Sequence, residues 1–372
     1  MPADSAVLTL ETLWFVLIAV LWVGFFVLEG FDFGVGMIYP FLGRDDPERH
    51  ALLATILPIW DSYEVWLIVA AGATLAAFPG WYASLFSGFY LPLLGILLAL
   101  IVRGVAIEYR NKHDTATWRR RWDVAMVVSC LAASLLFGFF LAGMVSPLPM
   151  DVRGFVTAGT ADLVNGYTVL GALTLTALFV LHGALFLTLH TRADLEQRCR
   201  RAALVAWPAA TVLLAVFALW SAVRAASPDP KGVVVVALLV VAFLAGLAAG
   251  PLAWVRRTGV AFAATAGAIS VTVASLLAWL YPRVLISATP GVASPTIYST
   301  ASSRYTLVAM TIVAIIFVPV VLAYQAWALR VFRSRFSRDD FARPPSVADL
   351  VRGGPLGRGG DRTRPDRPGN GG

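Results

Sequence analysis

The chain has 372 residues, 59% of them hydrophobic and 14% charged, and its mean hydropathy of +0.76 excludes a soluble globular protein of this length. Two cysteines do not suggest a disulfide framework, and of four histidines His50 and His113 are expected in loops, which leaves too few inside the membrane for a set of paired haem ligands. The net charge of +7 comes mostly from ten arginines against five aspartates from Arg330 onward, and it reads as a topology signal rather than a nucleic-acid surface. The first ten residues carry Asp4 and no Lys or Arg, and the first apolar run is too long for a signal-peptide core, so it is expected to stay as a span.

Hydropathy predicts nine helical spans, over 12–40, 51–78, 84–109, 122–146, 163–190, 203–223, 232–254, 260–282 and 305–332. Segments of this length without strand alternation leave a helical bundle as the spanning architecture. The Arg- and Lys-rich loops are every second one: Arg44 and Arg49, then Arg110 to Arg121, then Arg192 to Arg201, then Arg256 and Arg257, then the tail. That alternation predicts an outside amino terminus and a cytoplasmic carboxyl terminus. Residues 1–335 are expected to form the membrane domain, and 336–372, rich in Arg, Gly, Pro and Asp, a disordered basic tail.

Ionisable residues are concentrated in the first three spans. Glu29 and Asp32 stand three apart on the first, Asp61 and Glu64 three apart on the second beside Trp60, and Arg103 is on the third. Three-residue spacing puts each pair on one helix face. A charge at the centre of a membrane helix costs about 2.5 to 3.5 kcal/mol, so four such acids against one arginine cannot all be ionised cheaply. Carboxyls held near their protonation threshold are what a proton relay needs. Gly30 and Gly34 form a small-xxx-small pair that lets another backbone approach. Between Leu163 and Tyr281, by contrast, His182 is the ionisable residue plainly inside the membrane, and it is expected to be a hydrogen-bonded core residue. Two readings follow from the residues: a redox-complex subunit supplying scaffold and proton path, or a proton-coupled secondary transporter. Transporter sites draw on both halves of a repeat, whereas this cluster lies wholly in the first three spans, which favours the subunit.

The runs Glu29 to Met37, Trp60-Asp61, Glu64-Val65-Trp66, Phe86 to Tyr90 and Arg103 to Ala106, followed by Pro295, Ala301 to Ser303, Tyr305 to Leu307, Val318 to Val320 and Ala323 to Gln325, resemble subunit II of the cytochrome bd quinol oxidases over about residues 12–335. The resemblance implies nine helices, as two four-helix bundles plus one extra helix. Helices one to four would carry the polar cluster, five to eight would be scaffold or partner face, and nine would be peripheral. It implies a bacterial plasma-membrane terminal oxidase that takes electrons from quinol and reduces dioxygen to water without pumping. Haem b and haem d would be held by subunit I, with no metal ligated here. Small accessory subunits and lipids would be further partners. Asp61, with Asp32, Glu29 and Glu64, would belong to a proton pathway, and Trp60 and Arg103 would flank a structural quinone. Many members have Gly-Asn where this chain has Ser62-Tyr63.

Overall fold

In a computed structural model the described residues are 9–58, 60–227, 229–331 and 335–341. Helix α1, Leu10–Leu42, starts where the Thr9 hydroxyl accepts the Thr12 N–H, and it carries Pro40 in its last turn. The short α2, Asp46–Leu53, is capped by Asp45. Residues 54–58 then form turns before α3, Trp60–Ala77. Next come α4, Pro79–Gly88, with proline in its first turn, and α5, Tyr90–Tyr109. Helix α6, Ala116–Met144, follows Thr115 as its cap. The two-residue strand β1, Pro147–Leu148, and a four-residue turn of helix, α7 (Thr160–Leu163), lead to α8, Gly166–His190, which is capped by Asn165. Helices α9, Ala193–Ala225, α10, Pro230–Trp254, and α11, Thr258–Leu280, complete the second half. Strand β2, Ile286–Ser287, pairs with β1 in parallel and ties together two loops far apart in sequence. The chain continues through α12, Ile297–Thr300, and α13, Arg304–Val331.

The helices pack as two groups. α1, α3, α5 and α6 form one, α8 to α11 the other, and α1 and α6 meet α8 between them. At that seam the backbones touch: a Cβ on Gly34 would collide with the Phe179 carbonyl, and one on Gly183 would meet Gly34 and Val35 at 2.5 to 2.7 Å. The small residues predicted from sequence therefore serve the join between the two groups. α13 lies outside both, against α1 and α3, with only 6% of its apolar window buried. Indole hydrogen bonds hold it, from Trp14 to the Leu307 carbonyl (3.2 Å) and Thr311 hydroxyl (3.0 Å) and from Trp66 to Gln325 (3.2 Å).

Among the described residues, eight helices are long and apolar enough to cross a membrane: α1, α5, α6, α8, α9, α10, α11 and α13. The expected count of nine is not reproduced by that measure. The difference is α3, whose 18 residues include Asp61 and Glu64 near its start. The expected continuous span over 51–78 is also corrected: the turns at 54–58 break it, so Asp61 sits in the first turn of a helix rather than midway along one. The span expected over 84–109 is divided at Phe89 into α4 and α5. Of the tail expected to be disordered, Arg338–Asp340 forms a turn of 3-10 helix, and residues 342–372 lie outside the described part.

Candidate functional site

Helix α1 brings Glu29 and Asp32 to the face where α5 presents Arg103. Each of the three is fully buried. Arg103 donates through Nη1 to Glu29 Oε2 at 2.5 Å and through Nη2 to Asp32 Oδ2 at 2.9 Å, so its planar fork spans the two carboxylates. Glu64 Oε1 comes from α3 to 3.7 Å from the same Nη1. The guanidinium is roofed by Phe33, 4.7 Å from the ring centroid, and Trp60 lies 6.0 Å away. Two carboxylates on one buried cation, with a third alongside, leave more negative than positive charge in a medium that screens poorly.

Asp61 does not join this cluster. Its side chain is on the exposed face of α3, where Val65, Ile68 and Val69 are also exposed, and it forms no ion pair among the described residues. Glu64 is intermediate, its side chain 29% exposed. The acids expected to gather in one polar region therefore form a gradient: Glu29 and Asp32 enclosed, Glu64 at the margin, and Asp61 one turn away on the outer face. Sequence spacing paired Asp61 with Glu64 on one side of a helix; it could not show that only Glu64 reaches Arg103.

Trp60 and Arg103 are adjacent, as a shared binding corner requires. Both Nη atoms of Arg103 are already committed to carboxylates, however, and Nε is the guanidinium nitrogen without a protein partner among the described residues.

His182 on α8 is fully buried, with Nδ1 2.6 Å from the Thr265 hydroxyl. Its ring stacks on Phe262 at 4.3 Å and meets Phe31 edge-on at 5.9 Å. Among the described residues no group of three His, Cys, Asp or Glu side chains could hold a metal ion. Cys130 and Cys199 are free and buried.

A second network, not anticipated from sequence, closes one end of the first helix group. Asp123 on α6 accepts from the Tyr39 hydroxyl (2.6 Å), Arg110 Nε (2.6 Å) and Arg49 Nη1 (3.3 Å). Asp46 accepts from Arg110 (2.9 Å) and Arg119 (2.7 Å). Burial works against the Arg110 charge, but the hydrogen bond and charge of Asp123 outweigh it and hold the guanidinium above its ordinary value. Glu48 links the two halves through Arg198 (2.6 Å), which also reaches the Leu42 carbonyl. Arg110 and Arg119 read as topology markers in the sequence; the available signal was Asp123 following Trp122 at the start of an apolar run.

The family described as "Cytochrome bd terminal oxidase subunit II" matches residues 10–332. The chain is 38% identical over 332 residues to "Cytochrome bd ubiquinol oxidase subunit 2" of Bacillus subtilis (strain 168), covering 89% of this chain and 98% of that one. It is 31% identical over 370 residues to "Cytochrome bd-I ubiquinol oxidase subunit 2" of Escherichia coli (strain K12), covering 90% and 97%. A chain in the solved bd oxidase of Geobacillus thermodenitrificans superposes with a TM-score of 0.71 over 87% of this chain and 98% of that one; at 18% identity the likeness is one of fold.

Proposed function

Because the chain belongs to the subunit II family of the cytochrome bd terminal oxidases, we propose that it pairs with the haem-bearing subunit I and supplies scaffold and part of the proton route for quinol-driven reduction of dioxygen. The observation that carries this reading is the gradient of acids from the enclosed Arg103 cluster, through Glu64 at its margin, to Asp61 on the outer face of α3. A carboxylate standing among exposed Val65, Ile68 and Val69 is poorly suited to lipid. It is well suited to a polar patch on a partner. The α3 face around Asp61 is therefore a proposed contact with subunit I, in addition to the α8 to α11 side.

In this reading Glu29, Asp32 and Glu64 hold protons around Arg103, and Asp61 passes them to the partner. Haem b and haem d belong to subunit I, where the haem supplies the oxygen-reducing chemistry. Trp60 and Arg103 are the pair proposed to flank a structural quinone. The end carrying Arg44, Arg110, Arg119 and Arg198 is proposed to be cytoplasmic, with the amino terminus outside in the bacterial plasma membrane. A transporter finds no support in the second helix group, whose fully buried histidine is packed between aromatic rings.

The test is oxidase turnover per haem d in the purified complex. Asp61→Asn keeps size and hydrogen bonding but removes the titrating group, so assembly is expected to survive while oxygen reduction slows. Asp61→Glu should recover part of the rate. Full turnover per haem in Asp61→Asn would sink the relay role of this residue.

A further inference from the structure

The Arg103 cluster contains more polar atoms than its own contacts satisfy. Glu29 Oε1, Asp32 Oδ1, Tyr63 OH, Glu64 Oε1 and Arg103 Nε are all shielded from solvent and have no hydrogen-bond partner among the described residues. Buried polar atoms left in this way cost about 1 to 3 kcal/mol each, and several around one guanidinium point to a shared ligand that can both donate and accept. The set has that composition. Arg103 Nε donates, the carboxylate oxygens accept, and the tyrosine hydroxyl can do either.

Tyr63 is the neutral member. It is 1% exposed, its ring is fixed edge-on against Phe31 with centroids 5.3 Å apart, and it lies within electrostatic reach of Asp32 and Glu29. Phe31 sits between Gly30 and Asp32 on α1, so this aromatic contact holds Tyr63 beside the helix that carries both acids. A site in which polar groups of both kinds converge fits water, which makes about three hydrogen bonds when buried.

We propose that the Arg103 cluster is a buried hydration site holding about two water molecules, and that Tyr63 is the positioning residue whose hydroxyl orders them between Glu29, Asp32 and Arg103. The waters join the enclosed acids to Glu64, and through it to Asp61. That consequence rests on the proton-route reading above; the hydration itself does not.

The experiment uses the whole purified complex and infrared difference spectra between its oxidised and reduced states, recorded in ordinary and ¹⁸O-labelled water. Wild type is expected to show an ¹⁸O-sensitive O–H band from weakly bonded internal water. Tyr63→Phe removes one hydroxyl without changing charge, and it should lose or shift that band at unchanged haem content. Its turnover should fall about 2- to 10-fold, the worth of one hydrogen bond, with an altered pH profile. Phe31→Leu, which removes the ring that holds Tyr63 but leaves its hydroxyl, should shift the band by less than Tyr63→Phe does, without abolishing it. An absent band in wild type, a band untouched by Tyr63→Phe, or one lost equally in Phe31→Leu would overturn the proposal. So would a quinone carbonyl or protonated-carboxyl band accounting for the site in place of water. Loss of the band at unchanged turnover would uphold the hydration site and count against the proton route.

Discussion

Arg103 decides what the buried acids are. With Glu29 and Asp32 both on its fork and all three fully enclosed, removing the cation leaves two carboxylates without compensation, a loss of about 3 to 5 kcal/mol for a broken buried pair. Arg103→Gln is therefore expected to reduce the yield of assembled complex on size exclusion. Arg103→Lys should be intermediate, because an ammonium is a single point that cannot bridge both carboxylates. The clustering of Glu29, Asp32, Glu64 and Arg103 was legible in the sequence, since ionisable residues inside apolar runs stand out. The separation of Asp61 was not, because it depends on how α3 is rotated against α1. Tyr39 and Asp123 were also missed: each is ordinary near a helix end, and their 2.6 Å bond exists only because α1 ends beside the start of α6.

Residues 46–50 carry the pH dependence at that end. Burial, then the charge of Arg110, pushes His50 below its ordinary 6.5; Arg119 adds to this and Asp46 opposes it. Its ring packs on Phe341 at 4.6 Å, from the segment that Arg338 pins to Asp45 at 2.7 Å and Phe336 to the His190 carbonyl at 2.9 Å. A base with a depressed value stabilises the packed state fully above about 6.5 and loses that contribution as pH falls below it. Hydrogen exchange at the Phe336 amide, corrected for its intrinsic pH dependence, should thus quicken below about pH 6.5, and less so in His50→Phe. Glu48 acts lower down. Burial raises it, but the hydrogen bonds from Arg198 and the Arg44 amide prevail and hold it under its ordinary 4.5, so its contribution is lost only as pH falls below that value.

At the scale of elements, the join between α1 and α8 depends on having no side chain at Gly34. A methyl group there would run into the Phe179 carbonyl, which is backbone and cannot rotate away. Gly34→Ala is expected to separate the two helix groups and lower the thermal midpoint of the complex by several degrees, corresponding to an overpacking loss of about 1 to 3 kcal/mol. Gly259→Ala, near the start of α11 where nothing lies within 4 Å, should be silent. Thermal unfolding of the purified complex compares them. Most helix positions were readable from hydropathy, because long apolar runs in a bilayer have few alternatives to a helix. The turns at 54–58 were not, because averaging over a window hides a few non-helical residues whose flanks remain apolar. They matter for function, since they set where α3 begins and hence how Asp61 is presented.

For the whole molecule, the alternating arginines specify an orientation that fusions can check. A reporter active only outside the membrane should work after Asp151 and be silent after Arg338; the reverse pattern would invert the proposed cytoplasmic end and the direction from which protons enter. The sequence by itself determined that this is a helical membrane protein of the bd oxidase subunit II family, that its acids lie in the first part of the chain, and which glycines permit close packing. Composition and linear spacing suffice for these, because the bilayer forces helices and penalises each buried charge locally. Only the tertiary structure decided that Arg103 spans Glu29 and Asp32, that Tyr63 is buried against Phe31, and that Asp61 faces outward. Those outcomes depend on the rotation and crossing of α1, α3 and α5, which are fixed by packing between residues as far apart as Gly24 and Trp66 or Trp60 and Gly104 and are written in no single stretch of the chain.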